Sequence, residues 1–131
     1  AFQICQKISS VLIPSTVTII EPEAFQYCYG LTSVIIPKSV TTIEYCAFLQ
    51  CGLTSVTIGN GVSSIETRAF YGCTNLTSMT FEGLTPPTFG AEVLYMTNDC
   101  PIYVPYGTKE AYVEALNVNN TIDASRVIEI N

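Results

Sequence analysis

Apolar and polar residues alternate along this chain in short segments that recur every 22 or 23 residues. The stretch "LTSVIIPKSVTTIEYCAF" at residues 31–48 is followed by "LTSVTIGNGVSSIETRAF" at residues 53–70. Ala-Phe pairs begin at Ala1, Ala24, Ala47 and Ala69. The steps between them are therefore 23, 23 and 22 residues. A fixed period of this length indicates one structural unit used repeatedly.

Each unit is predicted to contain a strand, a second short extended stretch and a turn. Val34 and Ile36 alternate with Ser33 and Ile35, as in a strand with one buried face, and Pro37 ends this strand. The segment Val-x-x-Ile that follows predicts the second extended or turning stretch. Ala-Phe-x-x-Cys predicts a short helical turn with Ala and Cys on one side. Since one unit cannot bury its apolar side alone, we expect neighbouring units to stack into a repeat solenoid.

The repeated apolar columns resemble those of the BspA-like leucine-rich-repeat family, whose units run approximately as A-F-x-x-C-x-x-L-x-x-V-x-I-P-x-S-V-x-x-I. The resemblance covers residues 1 to about 84, in units that start at residues 1, 24, 47 and 69. Gly59 stands where the first two units have Pro14 and Pro37, and Met79 stands where the other units have valine. The resemblance implies a right-handed leucine-rich-repeat superhelix. This solenoid would be rich in β-structure with short helical turns, the α/β class of such repeats.

The repeated lines stop near residue 84, and the remaining residues predict a small α+β cap over residues 85–131. "PIYVP" at 101–105 and "RVIEI" at 126–130 are predicted as strands. Between them, Thr108 is predicted to cap a short helix that runs to about Asn117, with Glu110 favourable near its N-terminus. We expect repeats and cap to form one structural domain. Because no N-terminal cap precedes the first unit, we expect a fragment of a longer protein.

Charge and hydropathy exclude several classes of partner. The chain has five basic and eleven acidic residues, a net charge of -6, and the basic residues are scattered along it. Nucleic-acid binding usually requires a clustered basic surface, so no nucleic-acid partner is expected. No apolar run approaches the roughly 18 to 20 residues that cross a bilayer, so no membrane insertion is expected.

The chain offers little for catalysis or for metal binding. It contains no histidine and no G-x-S-x-G motif, so a serine or cysteine nucleophile would lack its commonest base and its usual turn. We predict no enzyme, no catalytic residue, no cofactor and no metal site. The column of Glu21, Glu44 and Glu66 is interpreted as a solvated acidic edge, because calcium needs six to eight oxygen ligands in a wrapped shell.

Six cysteines leave a disulfide hypothesis open at two positions. Four of them occupy one repeat column and are interpreted as buried thiols of the core: Cys5, Cys28, Cys51 and Cys73. Cys46 and Cys100 fall outside that column, and their redox state stays open. Zinc is disfavoured, since the chain has no histidine and no close C-x-x-C pair.

The outward strand positions are the candidate binding face. This face is predicted to comprise Ser10, Leu12, Ser33, Ile35, Ser55, Thr57, Ser78 and Thr80. The family resemblance implies an extracellular or cell-surface protein that adheres to host matrix or to other cells through such a face. A carbohydrate-binding module is the alternative, with Tyr27, Tyr29, Tyr45 and Tyr71 as its aromatic platforms if they cluster on one open face. A passive spacer with no ligand is a third hypothesis.

Overall fold

In the computed structural model, which describes residues 7–131, each repeat forms one coil of a β-solenoid. The elements in chain order are β1 (Ile19–Ile20), β2 (Ser33–Ile36), β3 (Thr42–Ile43), β4 (Ser55–Ile58), β5 (Ser64–Ile65), β6 (Ser78–Phe81), β7 (Thr88–Phe89), β8 (Ile102–Pro105), α1 (Lys109–Leu116), a short 3₁₀ helix (Ala124–Arg126) and β9 (Val127–Ile130). The predicted solenoid is confirmed, with about five coils and little helix.

Two parallel sheets run along the stack of coils. The longer strands form a five-stranded sheet in the order β2, β4, β6, β8 and β9, and the two-residue strands form a four-stranded sheet in the order β1, β3, β5 and β7. Every residue of β2 pairs with the residue 22 positions later in β4, as in Val34 with Val56 and Ile36 with Ile58. Because the register follows the sequence repeat, equivalent side chains stack directly on one another.

The core between the sheets is built from these stacked columns. The central inward column of the longer strands comprises Val34, Val56, Met79, Ile102 and Val127, all buried. Phe25, Phe48 and Phe70 form a second column, in which successive ring centroids lie 5.2 Å apart. Except at Ile8, which is 37% exposed in the first coil, the apolar columns predicted from the repeat point inward in the described coils. Each coil covers the apolar side of the next.

The Ala-Phe-x-x-Cys segment is a series of hydrogen-bonded turns and not a regular helix. In each described coil, the residues just before the alanine and cysteine positions have left-handed backbone conformations, such as Cys46 (φ 56°) and Gln50 (φ 55°). A left-handed residue at four-residue intervals interrupts a right-handed helix. Ala47 and Cys51 nevertheless both face the core, as the spacing predicts.

The stack continues past residue 84, where the repeated sequence lines end. Strand β7 pairs with β5, and the turn that follows hydrogen-bonds to the preceding coil through Phe70 N to Val93 O and Gly72 N to Tyr95 O. By this register Thr97 takes the position of Cys73. Thr97 is buried, and its hydroxyl donates to Leu94 O at 2.7 Å.

Helix α1 closes the C-terminal end of the core. Its Tyr112 is buried, and the phenol hydroxyl donates to Gly83 O at 2.7 Å. Thr108 is the N-cap residue, but its side chain does not cap the helix, because its hydroxyl donates to Pro105 O at 2.6 Å. Instead, the carboxylate of Glu129 on β9 accepts hydrogen bonds from Gly107 N and Lys109 N, at 3.0 Å each. A carboxylate at this position satisfies free amide groups and complements the helix dipole.

Candidate functional site

The outward side of the five-stranded sheet forms one continuous surface, which we call the strand face. Its predicted residues all point away from the core, but their exposure falls along the stack. Leu12 is 91% exposed and Ile35 is 68% exposed. Ser10, Ser33 and Ser55 are exposed, whereas Thr57, Ser78 and Thr80 are half-buried between their neighbours. Among the residues of this face that have a described coil on either side, Ile35 is the most exposed large apolar side chain.

The strand face extends into the C-terminal segment further than the repeat pattern predicts. The register continues from Ile35 through Thr57 and Thr80 to Tyr103 and then Ile128. Ile128 is 40% exposed and Tyr103 is half-buried. The alternation in "IYVP" and "VIEI" is the sequence signal for these two outward residues, but assigning them to this face requires the strand pairing.

Hydroxyl groups on and beside the strand face have two different roles. Thr32, Thr54 and Thr77, just before the longer strands, each donate a side-chain hydrogen bond to a carbonyl of the preceding coil. The next residues along the chain, Ser33, Ser55 and Ser78, make no such bond within the described part of the chain. Their hydroxyls therefore remain available to a partner or to water.

The strand face presents both polar and apolar side chains, and none of its described outward residues is charged. The outward residues of β2, β4, β6, β8 and β9 are serine, threonine, isoleucine, tyrosine and proline. A face of this kind gives little electrostatic steering. It offers instead hydroxyl groups and exposed aliphatic side chains, which suit short-range contacts with another protein surface.

The four candidate tyrosines lie on the turn-forming side of the coils, which we call the turn face. Tyr27 and Tyr29 are stacked at 6.2 Å between centroids, and Tyr71 stacks at 5.4 Å on Tyr95, which the sequence interpretation missed. Tyr29, Tyr45 and Tyr95 are each about half exposed. The turn face therefore carries these three exposed rings together with the half-buried rings of Tyr27 and Tyr71.

An ion pair crosses the turn face beside one of these rings. Arg68 Nη2 lies 2.9 Å from Glu92 Oε1, and the Arg68 guanidinium lies 5.5 Å from the centroid of Tyr71. The hydrogen bond and charge of Glu92 raise the pKa of Arg68 above its ordinary value. Both charged side chains are more than two-fifths exposed, so this pair contributes little to stability.

The described cysteines are buried thiols. Cys51 Sγ donates to Phe25 O at 2.9 Å, and Cys73 Sγ donates to Phe48 O at 3.1 Å. Burial raises the pKa of Cys73 to about 12 and also raises the pKa values of Cys46 and Cys100. A thiol with a raised pKa is a poor nucleophile at neutral pH. No disulfide joins two of the described cysteines, and Cys5 lies outside the described residues.

The acidic column offers no formed metal site. Glu21 is exposed, and Glu44 and Glu66 are half-buried. Within residues 7–131, no three histidine, cysteine or acidic side chains lie close enough together to hold a metal ion.

A family comparison accounts for the repeat and the solenoid together. The model of the BspA type leucine rich repeat region matches residues 1–121 in six copies. The chain belongs to this BspA-type leucine-rich repeat family. The resemblance noted in the repeated lines is confirmed, and the match runs well beyond residue 84. A search of curated proteins found no match to the chain.

Membership of the BspA-type family gives a general functional class. Leucine-rich repeats generally mediate protein interaction and are generally non-enzymatic. Among the described residues of this BspA-type chain, no helix has both the length and the apolar character needed to cross a membrane.

Proposed function

We propose that this chain is a non-enzymatic adhesion module that binds an extracellular-matrix or cell-surface protein through the strand face. The observation that carries the proposal is the continuous, uncharged row from Leu12 to Ile128. Exposed aliphatic side chains in this row lie beside hydroxyls that the fold itself does not use. Solenoids present such extended surfaces because each coil adds one more strand to them.

The proposal places the protein outside the cell or at its surface. Proteins with BspA-type repeats are commonly surface-associated. The described residues add a compatible feature, since their cysteines are buried and therefore shielded from oxidants in solution.

Binding to a panel of purified extracellular-matrix proteins tests this function. The test variant Ile35→Glu/Thr57→Glu places two charges on paired residues of the strand face. The matched control Ile19→Glu/Thr42→Glu places two charges on paired residues of the four-stranded sheet. We expect a matrix protein to bind the unmodified chain and the control variant but to lose at least tenfold in affinity for the test variant, which buries unpaired charge in the interface.

Two results would contradict the proposed function. Equal affinity for both variants would place the binding site elsewhere, provided that circular dichroism shows both variants folded. No binding to any protein of the panel would favour the passive spacer.

Saccharide binding is the second candidate function, and the arrangement of tyrosines on the turn face favours it. Exposed aromatic rings provide flat apolar surfaces with a polar hydroxyl at one edge. Tyr29, Tyr45 and Tyr95 are the most exposed of these rings. This candidate uses a different side of the molecule from the strand face, so the two binding functions are separable by mutation.

A further inference from the structure

One unit of the repeat is a residue shorter than its neighbours, and the missing residue falls on the turn face. Between the repeated cysteine and the leucine that follows it, the second unit has Tyr29 and Gly30 and the fourth unit has Thr74 and Asn75. The third unit has only Gly52 at this place. The 22-residue step in an otherwise 23-residue period therefore removes one residue, and the residue that remains has no side chain.

The shortened turn leaves a notch between the coils on either side. This hollow of about 330 Å³ is lined by Tyr29, Gln50, Gly52, Gly72, Asn75 and Met96, among others. Tyr29 and Asn75 come from the longer turns on either side of Gly52. A volume of this size is at the lower end of the range for small-molecule sites.

The glycine at the floor of the notch cannot be replaced without moving the coils. A Cβ atom on Gly52 would overlap the backbone carbonyl oxygen of Tyr29 in the coil below. The Gly52 amide donates to Cys28 O at 3.3 Å, so the shortened turn is held directly against its neighbour. The notch is therefore a fixed feature of the coil stacking.

The walls of the notch combine an aromatic ring with polar side chains that make no hydrogen bond within the described part of the chain. Tyr29 is 52% exposed, and Tyr27 stacks beside it. The side chains of Gln50, Thr74 and Asn75 make no hydrogen bond within the described part of the chain, unlike Asn119 and Asn120, whose amides bond to backbone carbonyls. Each free amide offers two donors and an acceptor.

We propose that this notch binds one neutral pyranose ring at the non-reducing end of a glycan. The apolar face of the sugar packs on Tyr29, and its hydroxyls bond to the amides of Gln50 and Asn75. No charged side chain lines the notch, so a charged sugar would find no counter-ion there. This inference deepens the second candidate function and is independent of protein binding at the strand face.

Amide chemical shifts in ¹⁵N-labelled protein test the site directly. The protein is titrated separately with glucose, galactose, mannose and N-acetylglucosamine, and with the methyl glycoside of each. We expect at least one sugar to shift the amide signals of Gln50, Gly52 and Asn75 with a millimolar dissociation constant. Its methyl glycoside should bind equally well, because the ring at the non-reducing end of a glycan is substituted at its anomeric carbon.

Variants of Tyr29 test whether the sugar stacks on its aromatic ring. Tyr29→Ala is expected to weaken binding about tenfold, since it removes the ring. Tyr29→Phe keeps the ring and should bind within about twofold of the original affinity. Tyr106→Ala removes an exposed tyrosine outside the notch and should change nothing. Should Tyr29→Ala fail to fold, Asn75→Ala replaces it and is expected to weaken binding severalfold by removing one amide.

The proposal is overturned if no sugar shifts the notch amides, or if the Tyr29 and Asn75 alanine variants bind as the unmodified protein does. A free sugar that binds while its methyl glycoside does not would also overturn it, because a glycan end would then be excluded. The strand-face variant Ile35→Glu/Thr57→Glu should retain sugar binding. The sugar titration therefore tests the notch, and the binding of matrix proteins tests the strand face, independently of each other.

Discussion

Thr54 and Ser55 are neighbours with similar chemistry, yet the structure gives them different roles. The Thr54 hydroxyl donates to Thr32 O in the preceding coil at 3.1 Å. Ser55 points outward on the strand face, and its hydroxyl makes no hydrogen bond within the described residues. The sequence treats both simply as polar positions of a strand, because the periodicity of apolar residues does not say which hydroxyl reaches the next coil.

Substitution should separate these two roles. Thr54→Val keeps the shape of the side chain but removes the hydrogen bond between coils, so the free energy of unfolding should fall by about 1 kcal/mol. Ser55→Ala is the matched control, and its effect should stay within about 0.5 kcal/mol. Urea denaturation measures both changes. An equal loss in the two variants would contradict the assignment of the hydroxyls.

Buried Tyr112 makes stability depend on alkaline pH. Burial raises the pKa of Tyr112 from the ordinary value of 10.0 to about 12. The folded state therefore favours the neutral phenol, whose full contribution is present below pH 10 and is lost as the pH rises toward 12.

Urea denaturation between pH 9 and about 11 measures this loss. In Tyr112→Phe the decline of stability with pH should be shallower than in the unmodified protein, because one ionisation that favours unfolding is gone. The variant should also be less stable at pH 7 by about 1 kcal/mol or more, since Gly83 O loses its donor. Parallel pH profiles in the two proteins would show that Tyr112 does not titrate as this burial requires.

The strands of the repeats could be predicted from sequence, whereas their continuation into the C-terminal segment could not. Strand β2 follows from the alternation of Val34 and Ile36 with outward residues. Strand β7 contains only Thr88 and Phe89, and two prolines precede it, so no alternation marks it as a strand. It is defined by pairing with β5, which is a tertiary effect.

The capping of α1 shows the same limit. Local sequence placed the helix correctly from Thr108 to Asn117, because a threonine precedes a helical pattern there. The carboxylate that actually accepts from the first amides belongs to Glu129, some 20 residues later. Cap rules describe neighbouring residues and cannot anticipate an acceptor supplied by another strand.

Close packing of the coils makes Gly61, like Gly52, essential for reasons of space. A Cβ atom on Gly61 would overlap the carbonyl oxygen of Lys38 in the preceding coil. Gly61→Ala should therefore cost about 3 kcal/mol, because two backbones must separate. Gly107→Ala is the control: Gly107 has φ +86° but no atom within 4 Å of the added Cβ, so only backbone strain of about 1 kcal/mol is expected. Thermal or urea unfolding of both variants measures which substitution lowers stability more. A smaller loss of stability in Gly61→Ala than in Gly107→Ala would contradict the observed coil spacing.

In the molecule as a whole, one stack of coils presents two different surfaces. The repeat pattern determines which residues face the core, so the described inward columns can be predicted from sequence. The outward surfaces depend on the exceptions to the repeat: Tyr103 and Ile128, which extend the strand face, and Gly52, which opens the turn face. A repeat pattern averages over such exceptions, and this is why it predicts the scaffold better than the sites on it.

Methyl spectra of ¹³C-labelled isoleucine test the central claim, that a protein partner covers the strand face, most directly. Ile35 and Ile128 report on this face and are 68% and 40% exposed, while Ile19, 44% exposed on the four-stranded sheet, is an internal control. On addition of the matrix protein that binds best, we predict that the Ile35 and Ile128 signals shift or broaden and that the Ile19 signal does not. A change at Ile19 with Ile35 and Ile128 unaffected would contradict the proposed function.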